Sequence, residues 1–204
     1  MVREWLGTLI NQQTDMEVCG EADTAPKALQ LVASLKPRVA VVDISMEGGS
    51  GLELIKNIKA GHPETTIVVL SMHDETLYAE RALRAGARGY IMKREATKGV
   101  LQGIRAVLGG KLYVSEKLAM IIAEKFVDGK PKTAGSIVDQ LSDRELEVFD
   151  LLGRGLGTRR IAEELHISVK TVQAFCARIK EKLQLADATE LLHEALRWHE
   201  AQQK

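Results

Sequence analysis

LSDRELEVFDLLGRGLGTRRIAEELHISVKTVQAFCARIKEKL, residues 141–183, decides how the C-terminal part of the chain folds. Ile161, Ala162 and Leu165 share one side of a helix that Thr158 is placed to cap. His166, Ile167 and Ser168 make a short turn, and Ser168 is placed to cap the helix that follows. Val169, Val172, Cys176, Ile179 and Leu183 recur at steps of three and four, which is the buried stripe of that second helix. Lys170, Thr171, Gln173, Ala174 and Arg178 are left for its other faces. A helix presented to a DNA major groove needs such groups for phosphates and base edges. Arg154, Arg159, Arg160, Lys180 and Lys182 add local positive charge. Spacing alone fits a small helical domain with a solvated charged face equally well.

Working outward, the composition gives no second clue to nucleic acid. Lys plus Arg and Asp plus Glu are 28 each, so the net charge is zero and any DNA-binding role needs a local basic face. The 204 residues suit one or two domains, and 45% hydrophobic content is enough for real cores. Cys19 and Cys176 are far apart and have neither metal-ligand nor CxxC spacing, which fits a reducing cytoplasm. No apolar run approaches the roughly 18 residues of a membrane span, so no membrane partner is expected. MVREWLGTLI, with Glu4 and helical apolar spacing, does not read as a signal peptide. His62, His73, His166, His193 and His199 form no metal or catalytic-triad constellation, so an enzyme is not expected.

Ahead of residue 127, apolar strands alternate with amphipathic helices. Val2, Trp5, Leu6, Leu9 and Ile10 open the chain in a helix. Glu17–Ala22 reads as a short strand, and Thr24 is placed to cap a helix from Ala25 to about Leu35, with Pro26 in its first turn. VAVVD (Val39–Asp43), TIVVLS (Thr66–Ser71) and GYIMK (Gly89–Lys93) read as buried strands. Helices are expected from about Gly51 to Ala60, after a cap at Asp74 to Gly86, from Thr97 to Leu108, and from Ser115 to Phe126. This alternation predicts a parallel sheet covered on both faces. Val127–Ser136 is rich in Gly, Pro, Lys and small residues and reads as a linker.

Asp43, Ser71 and Lys93 each end one of the three strands. Reaction sites in open α/β sheets lie at that edge. A carboxylate that accepts a phosphoryl group needs a hydroxyl and an ammonium near the incoming oxygens, and a divalent cation to offset charge. Three matched strand ends supply most of that set.

Both halves carry a resemblance. Residues 1 to about 126 resemble the receiver domain of NarL/FixJ response regulators, through D-I-S-M (Asp43–Met46), G-L-E-L (Gly51–Leu54) and R-A-L-R-A-G-A-R-G-Y (Arg81–Tyr90). Leu141 to about Trp198 resembles the LuxR-type helix-turn-helix of the same family. That match runs through L-S-x-R-E (Leu141, Ser142, Arg144, Glu145), Gly155, I-A-E-x-L (Ile161–Leu165), I-S-V-K-T-V (Ile167–Val172), Lys182–Leu183 and Thr189–Leu191. The resemblance implies a flavodoxin-like, doubly wound parallel sheet plus an all-α helix-turn-helix domain. The divisions are 1–112 for a truncated receiver, 113–140 for a linker with a helix, and 141–204 for the DNA-binding domain. It further implies Asp43 as phosphoacceptor and metal ligand, and Ser71, Tyr90 and Lys93 as the switch hydroxyl, switch aromatic and phosphate-site lysine. Lys170, Thr171, Gln173, Ala174, Arg178, Arg159 and Lys182 are the implied contacts to double-stranded DNA. A final helix opened by Asp187-x-x-Glu190, with Leu191, Leu192, Ala195 and Trp198, is the implied dimerisation element, with packing inside its own domain as the competing reading. A sensor histidine kinase, Mg²⁺, homodimerisation on DNA and a cytoplasmic location follow from the same resemblance.

The departures are specific. His166 stands where the family often has Gly, which a positive φ would tolerate at modest cost. Phe175 and Cys176 stand where His and Arg are frequent, and Arg178 is placed to replace the lost cation. Glu47 replaces a proline beside the phosphoacceptor loop. Receivers begin with a strand ending in the acidic pair that holds Mg²⁺, and this sequence opens in the helix that follows. Its absence would leave a central ladder unpaired at about 1–3 kcal/mol per orphaned buried group, against an ordinary stability of about 5–15 kcal/mol. The favoured reading is that Met1 is an internal methionine and the chain starts roughly twenty residues earlier. The alternative is a natural short form that regulates DNA without phosphorylation. On either reading the 204-residue chain is expected to bind Mg²⁺ poorly and to resist phosphorylation. A receiver-like protein-interaction module that does not regulate DNA is the competing function.

Overall fold

Hydrophobic strands separated by amphipathic helices build one unit, and helices alone build the other. The computed structural model describes residues 2–46, 49–72, 75–127 and 137–202. In chain order the elements are α1 (Val2–Asn11), α2 (Ala25–Leu35), β1 (Val39–Asp43), β2 (Ser45–Met46), β3 (Gly49–Ser50), α3 (Gly51–Gly61), β4 (Thr66–Ser71), α4 (Glu75–Ala85), β5 (Gly89–Met92), α5 (Ala96–Leu108) and α6 (Glu116–Val127). After the segment 128–136 come α7 (Asp143–Gly153), α8 (Thr158–Glu164), α9 (Val169–Leu183) and α10 (Ala188–Gln202). The chain divides into two units, Met1–Glu124 and Lys125–Lys204.

In the first unit β1, β4 and β5 form a parallel sheet in the order β1-β4-β5. Side chains alternate across a strand, so Val68 and Leu70 of β4 face one way and Ile67 and Val69 the other. Val68, Leu70 and Ile91 pack with Ile10 of α1 and with Val100, Ile104 and Val107 of α5. On α3 and α4, Leu54, Ile55, Ile58, Tyr78 and Ala82 are buried, and α3 packs on both α4 and β1. These two helices take the opposite face, as a doubly wound sheet requires. The outer edge of β5 gains one more rung: Tyr90 N–H donates to Tyr113 O at 2.9 Å, and Tyr113 N–H to Arg88 O at 2.9 Å. A side chain on Gly103 of α5 would meet Ile91 at 2.7 Å and the Tyr113 ring at 3.0 Å, so a small residue there lets the helix close onto this rung.

Several expectations need correcting. Glu17–Ala22 is not a strand: it takes no part in the ladders among the described residues. An extended segment becomes a strand only when a neighbouring edge takes its backbone bonds, and none lies beside it among the described residues. Instead the Val18 N–H donates to Asn11 Oδ1 at 2.8 Å, and Val18 packs on the core. For the same reason β1 is an edge: Val39, Ala40 and Val41 are half-buried, whereas Ile67 to Ser71 of β4 are buried throughout. Thr24 precedes α2 but its side chain makes no capping bond, and the Pro in the first turn sets the helix start. Gly157, not Thr158, is the residue before α8, and Thr158 is its first helical residue. Ser115 caps α6 by accepting the Leu118 N–H at 3.1 Å. The expected cap at Asp74, the Glu47 substitution and most of the linker lie outside the described residues.

Candidate strand-end site and nucleic-acid interface

Strand register brings the predicted trio to one edge. Asp43 pairs with Leu70 in β1/β4, and Ser71 pairs with Met92 in β4/β5. Asp43 therefore ends β1, Ser71 ends β4, and Lys93 follows β5 in a short 3₁₀ turn. The Lys93 Nζ donates to Asp43 Oδ2, and the Ser45 N–H donates to Asp43 Oδ1 at 3.1 Å. Both carboxylate oxygens are thus engaged while the group keeps a third of its side chain open to solvent. Ser71 is fully buried, and Tyr90 is buried in the body of β5, where it pairs with Val69. The loop that carries Asp43 is closed by the Gly51 N–H, which donates to Ile44 O at 3.0 Å.

The described residues do not fit a divalent cation. No group of three His, Cys, Asp or Glu side chains comes together among them, and the Asp43 carboxylate is already neutralised by Lys93. Mg²⁺ favours one or two carboxylates plus ligand oxygens and water in octahedral array. One ion-paired carboxylate is a poor start on that array.

In the helical unit the turn is built as its sequence implies. Ile167 N–H donates to Ala162 O at 2.9 Å, and His166 takes φ 52°, the left-handed conformation in which Gly is easier. Ser168 Oγ accepts the Thr171 N–H at 3.0 Å and caps α9. Val172 and Ile179 are buried, with Val169, Cys176 and Leu183 half-buried beside them. Lys170, Thr171, Gln173, Ala174 and Arg178 are exposed, as is Arg159 at the start of α8. Phe175 and Cys176, the two departures, lie at the margin of the buried stripe rather than on the outward face. Burial pushes the Cys176 thiol above its ordinary range. The Arg178 guanidinium sits 5.9 Å from the Phe175 ring centroid, a cation–π arrangement that positions it.

Lys182 is placed differently. Its Nζ donates to Glu145 Oε2 at 2.6 Å, within the domain. Glu145 belongs to a capping box: Ser142 N–H donates to Glu145 Oε2 at 2.7 Å, and Ser142 Oγ accepts the Glu145 N–H at 3.4 Å. The opening S-x-x-E of the quoted stretch carried that signal, and only its reach to Lys182 was invisible. Arg154 is likewise held by Asp150 at 2.6 Å, and Arg144 by Glu147 at 2.5 Å. The basic groups of this neutral protein are thus sorted, some tying helices together and some facing outward.

Glu145 gives a pH prediction. Burial pushes its carboxyl up, but the hydrogen bonds from Lys182 and Ser142 outweigh this and hold it below the usual value of 4.5. A carboxylate depressed on folding stabilises above its unfolded pKa, and the effect is lost as pH falls through the folded value. Glu145→Gln is expected to destabilise the helical unit by about 1 kcal/mol at pH 7, since Lys182 is partly solvated. In denaturant titrations the difference should hold above pH 4.5, shrink as pH falls below it, and be lost once the folded value has been passed. A difference independent of pH would show that the ion pair does not contribute.

The predicted dimer residues split. Leu191, Ala195 and Trp198 are buried, α10 packs on α7, and Trp198 meets Phe149 with ring centroids 5.4 Å apart. Those three form the core of their own domain because α7 and α10 approach closely. A side chain on Gly153 would lie 2.6 Å from Ala195 O. Leu192 alone of the four is exposed. The start of α10 is capped as expected by Asp187, which accepts the Glu190 and Thr189 N–H groups at 2.9 and 2.8 Å. The return bond goes one residue early, from Ala186 N–H to Glu190 Oε2 at 2.7 Å.

Comparison with known proteins agrees with this geometry. Residues 1–105 match the response regulator receiver domain, and residues 139–195 match the bacterial regulatory proteins of the luxR family. The chain belongs to the NarL/FixJ family of two-component response regulators. The oxygen regulatory protein NreC of Staphylococcus aureus (strain JH9) is 39% identical over 201 residues, covering 97% of this chain and 93% of that protein. The crystal structure of a LuxR-family two-component response regulator from Aurantimonas sp. SI85-9A1 superposes with a TM-score of 0.57 at 32% identity, over 62% of this chain and 90% of that one. RcsB from Salmonella enterica serovar Typhimurium, bound to promoter rprA in the presence of phosphomimetic BeF₃⁻, gives a TM-score of 0.58 at 25% identity over 94% and 91%. This response regulator is a DNA-binding transcriptional regulator and not an enzyme. No helix among its described residues is long and apolar enough to cross a membrane.

Proposed function

We propose that Asp43 is the phosphoacceptor of this regulator, and that the 204-residue chain accepts a phosphoryl group poorly. The observation that carries the reading is the ion pair between Asp43 and Lys93 at the carboxyl edge of the sheet, with no further carboxylate cluster among the described residues. A phosphoryl group donated by a sensor histidine kinase would add charge beside Lys93, which offsets part of it, and beside Ser71, whose hydroxyl is one residue beyond the register partner of Asp43. Mg²⁺ is the cation that would complete such a site, and the described residues hold it weakly. Repacking of Ser71 and Tyr90 on phosphorylation is then a population shift driven by a local charge.

The output is the helix-turn-helix in the cytoplasm. Lys170, Arg178 and Arg159 supply phosphate contacts, and Thr171, Gln173 and Ala174 lie where base edges would be met. Lys182 acts through Glu145 to hold α9 in place. A homodimer on DNA would use the exposed side of α10 around Leu192, since Leu191, Ala195 and Trp198 are enclosed. The test is phosphorylation of the 204-residue chain with a small phosphodonor and Mg²⁺, followed by intact mass. Substoichiometric modification confined to Asp43 is expected. Full labelling of Asp43 overturns the claim of impairment, and labelling at another residue overturns the assignment of Asp43.

A further inference from the structure

The outward face of α9 carries a narrow set of side chains. With a turn of 3.6 residues, the buried Val172 and Ile179 fix one side of the helix, and the opposite side centres on Lys170, Ala174, Ala177 and Glu181. Ala174 and Ala177 are exposed and adjacent on that side, with Gln173 on one flank and Thr171 on the other. Thr171 Oγ1 is paired with Ser168 Oγ at 2.8 Å. The one arginine of α9, Arg178, is drawn over the Phe175 ring. The first carboxylate on this helix is Glu181, three turns from its N-terminus. The N-terminal half therefore offers one side-chain amide, small apolar groups and the Lys170 ammonium assigned above to phosphate, and neither a carboxylate for cytosine nor an uncommitted guanidinium for guanine.

Base edges in the major groove answer to this inventory. A glutamine makes a bidentate pair with adenine N6 and N7, and alanine and the threonine methyl pack on the thymine 5-methyl group. Guanine is read best by Arg or Lys, and cytosine by Asp or Glu. We propose that α9 selects A·T pairs at the base steps it faces, with Gln173 reading adenine and Ala174 and Ala177 reading thymine methyls. The proposal rests on α9 being the element that enters the major groove, and it adds the base class which that element reads.

The full chain, presented with a randomised duplex pool at moderate salt, should enrich sites with A·T pairs at the two half-site centres. Modified duplexes then separate groove reading from DNA shape, because the thymine methyl lies in the major groove and narrow A-tracts act through the minor groove. Uracil in place of one contacted thymine should weaken binding about fourfold, the value of one buried methyl. 7-Deazaadenine at the Gln173 position should weaken it about tenfold, the lower part of the range for a bidentate pair. These changes are made on the DNA, so the fold of the protein is untouched. Enrichment of G·C at the central positions overturns the proposal, as does affinity indifferent to both modifications. In either case salt-dependent binding to unmodified DNA would persist, whereas its absence would instead reject the placement of α9 in the groove.

Discussion

Gly51→Ala is expected to destabilise the receiver unit although it places a better helix former at the first position of α3. A Cβ there would lie 2.2 Å from Asp43 O and 2.6 Å from Ile44 Cα, both backbone atoms that cannot turn aside. Replacing Gly by Ala in a helix gains about 1 kcal/mol of propensity. Forcing apart the backbone that carries the phosphoacceptor costs about 3 kcal/mol or more. The clash wins, and the loop that aims Asp43 at Lys93 is the part that must move. A fall in Tm of about 10 °C is expected for a unit of this size. The two tryptophans make this measurable by fluorescence, since Trp5 lies in the receiver and Trp198 is buried in the helical unit. The Trp198 signal should melt as in the wild type. An unchanged receiver transition would mean that the tight approach at Gly51 is not structural.

Lys170→Glu combined with Arg178→Glu is expected to lower affinity for duplex DNA about a hundredfold at 0.1 M salt, and to flatten its salt dependence by about two units of slope. Both residues are exposed, and neither lies on the buried stripe, so the fold should be retained. In a protein of zero net charge, losing two outward cations removes a large part of the local field that attracts phosphates. Lys182→Ala should behave differently. It releases Glu145 from its ion pair and should lower stability before it lowers the salt slope. Fluorescence anisotropy with labelled duplex across a salt series separates the two effects.

The strands and the second domain were legible because their signals are local. VAVVD, TIVVLS and GYIMK are short apolar runs ending in polar residues, and the stripe of α9 is periodic over its length. The capping serine at 168 and the positive φ of His166 were readable for the same reason, as each depends on a residue and its near neighbours. Apart from the caps expected of Thr24 and Thr158, the misses are long-range. Glu17–Ala22 has strand composition, but strand formation is decided by an adjacent edge that composition does not encode. Tyr113 completes the sheet from a segment that reads as a loop, with Gly103 making room for it. Lys182 and Glu145 are 37 residues apart, and nothing in either neighbourhood announces that they meet. The apolar stripe of α10 was legible, but Leu191, Ala195 and Trp198 turn inward because Gly153 lets α7 come close.

This charge-neutral response regulator is expected to bind DNA through the local cations on the outward side of its helix-turn-helix. The affinity of the unaltered 204-residue chain for duplex DNA as a function of salt concentration tests it most directly. A linear fall of log K with log salt is expected, at roughly 0.9 per phosphate contacted and shallower in the Lys170/Arg178 double variant. Binding that is absent at low salt, or that ignores both salt and the double substitution, would contradict it.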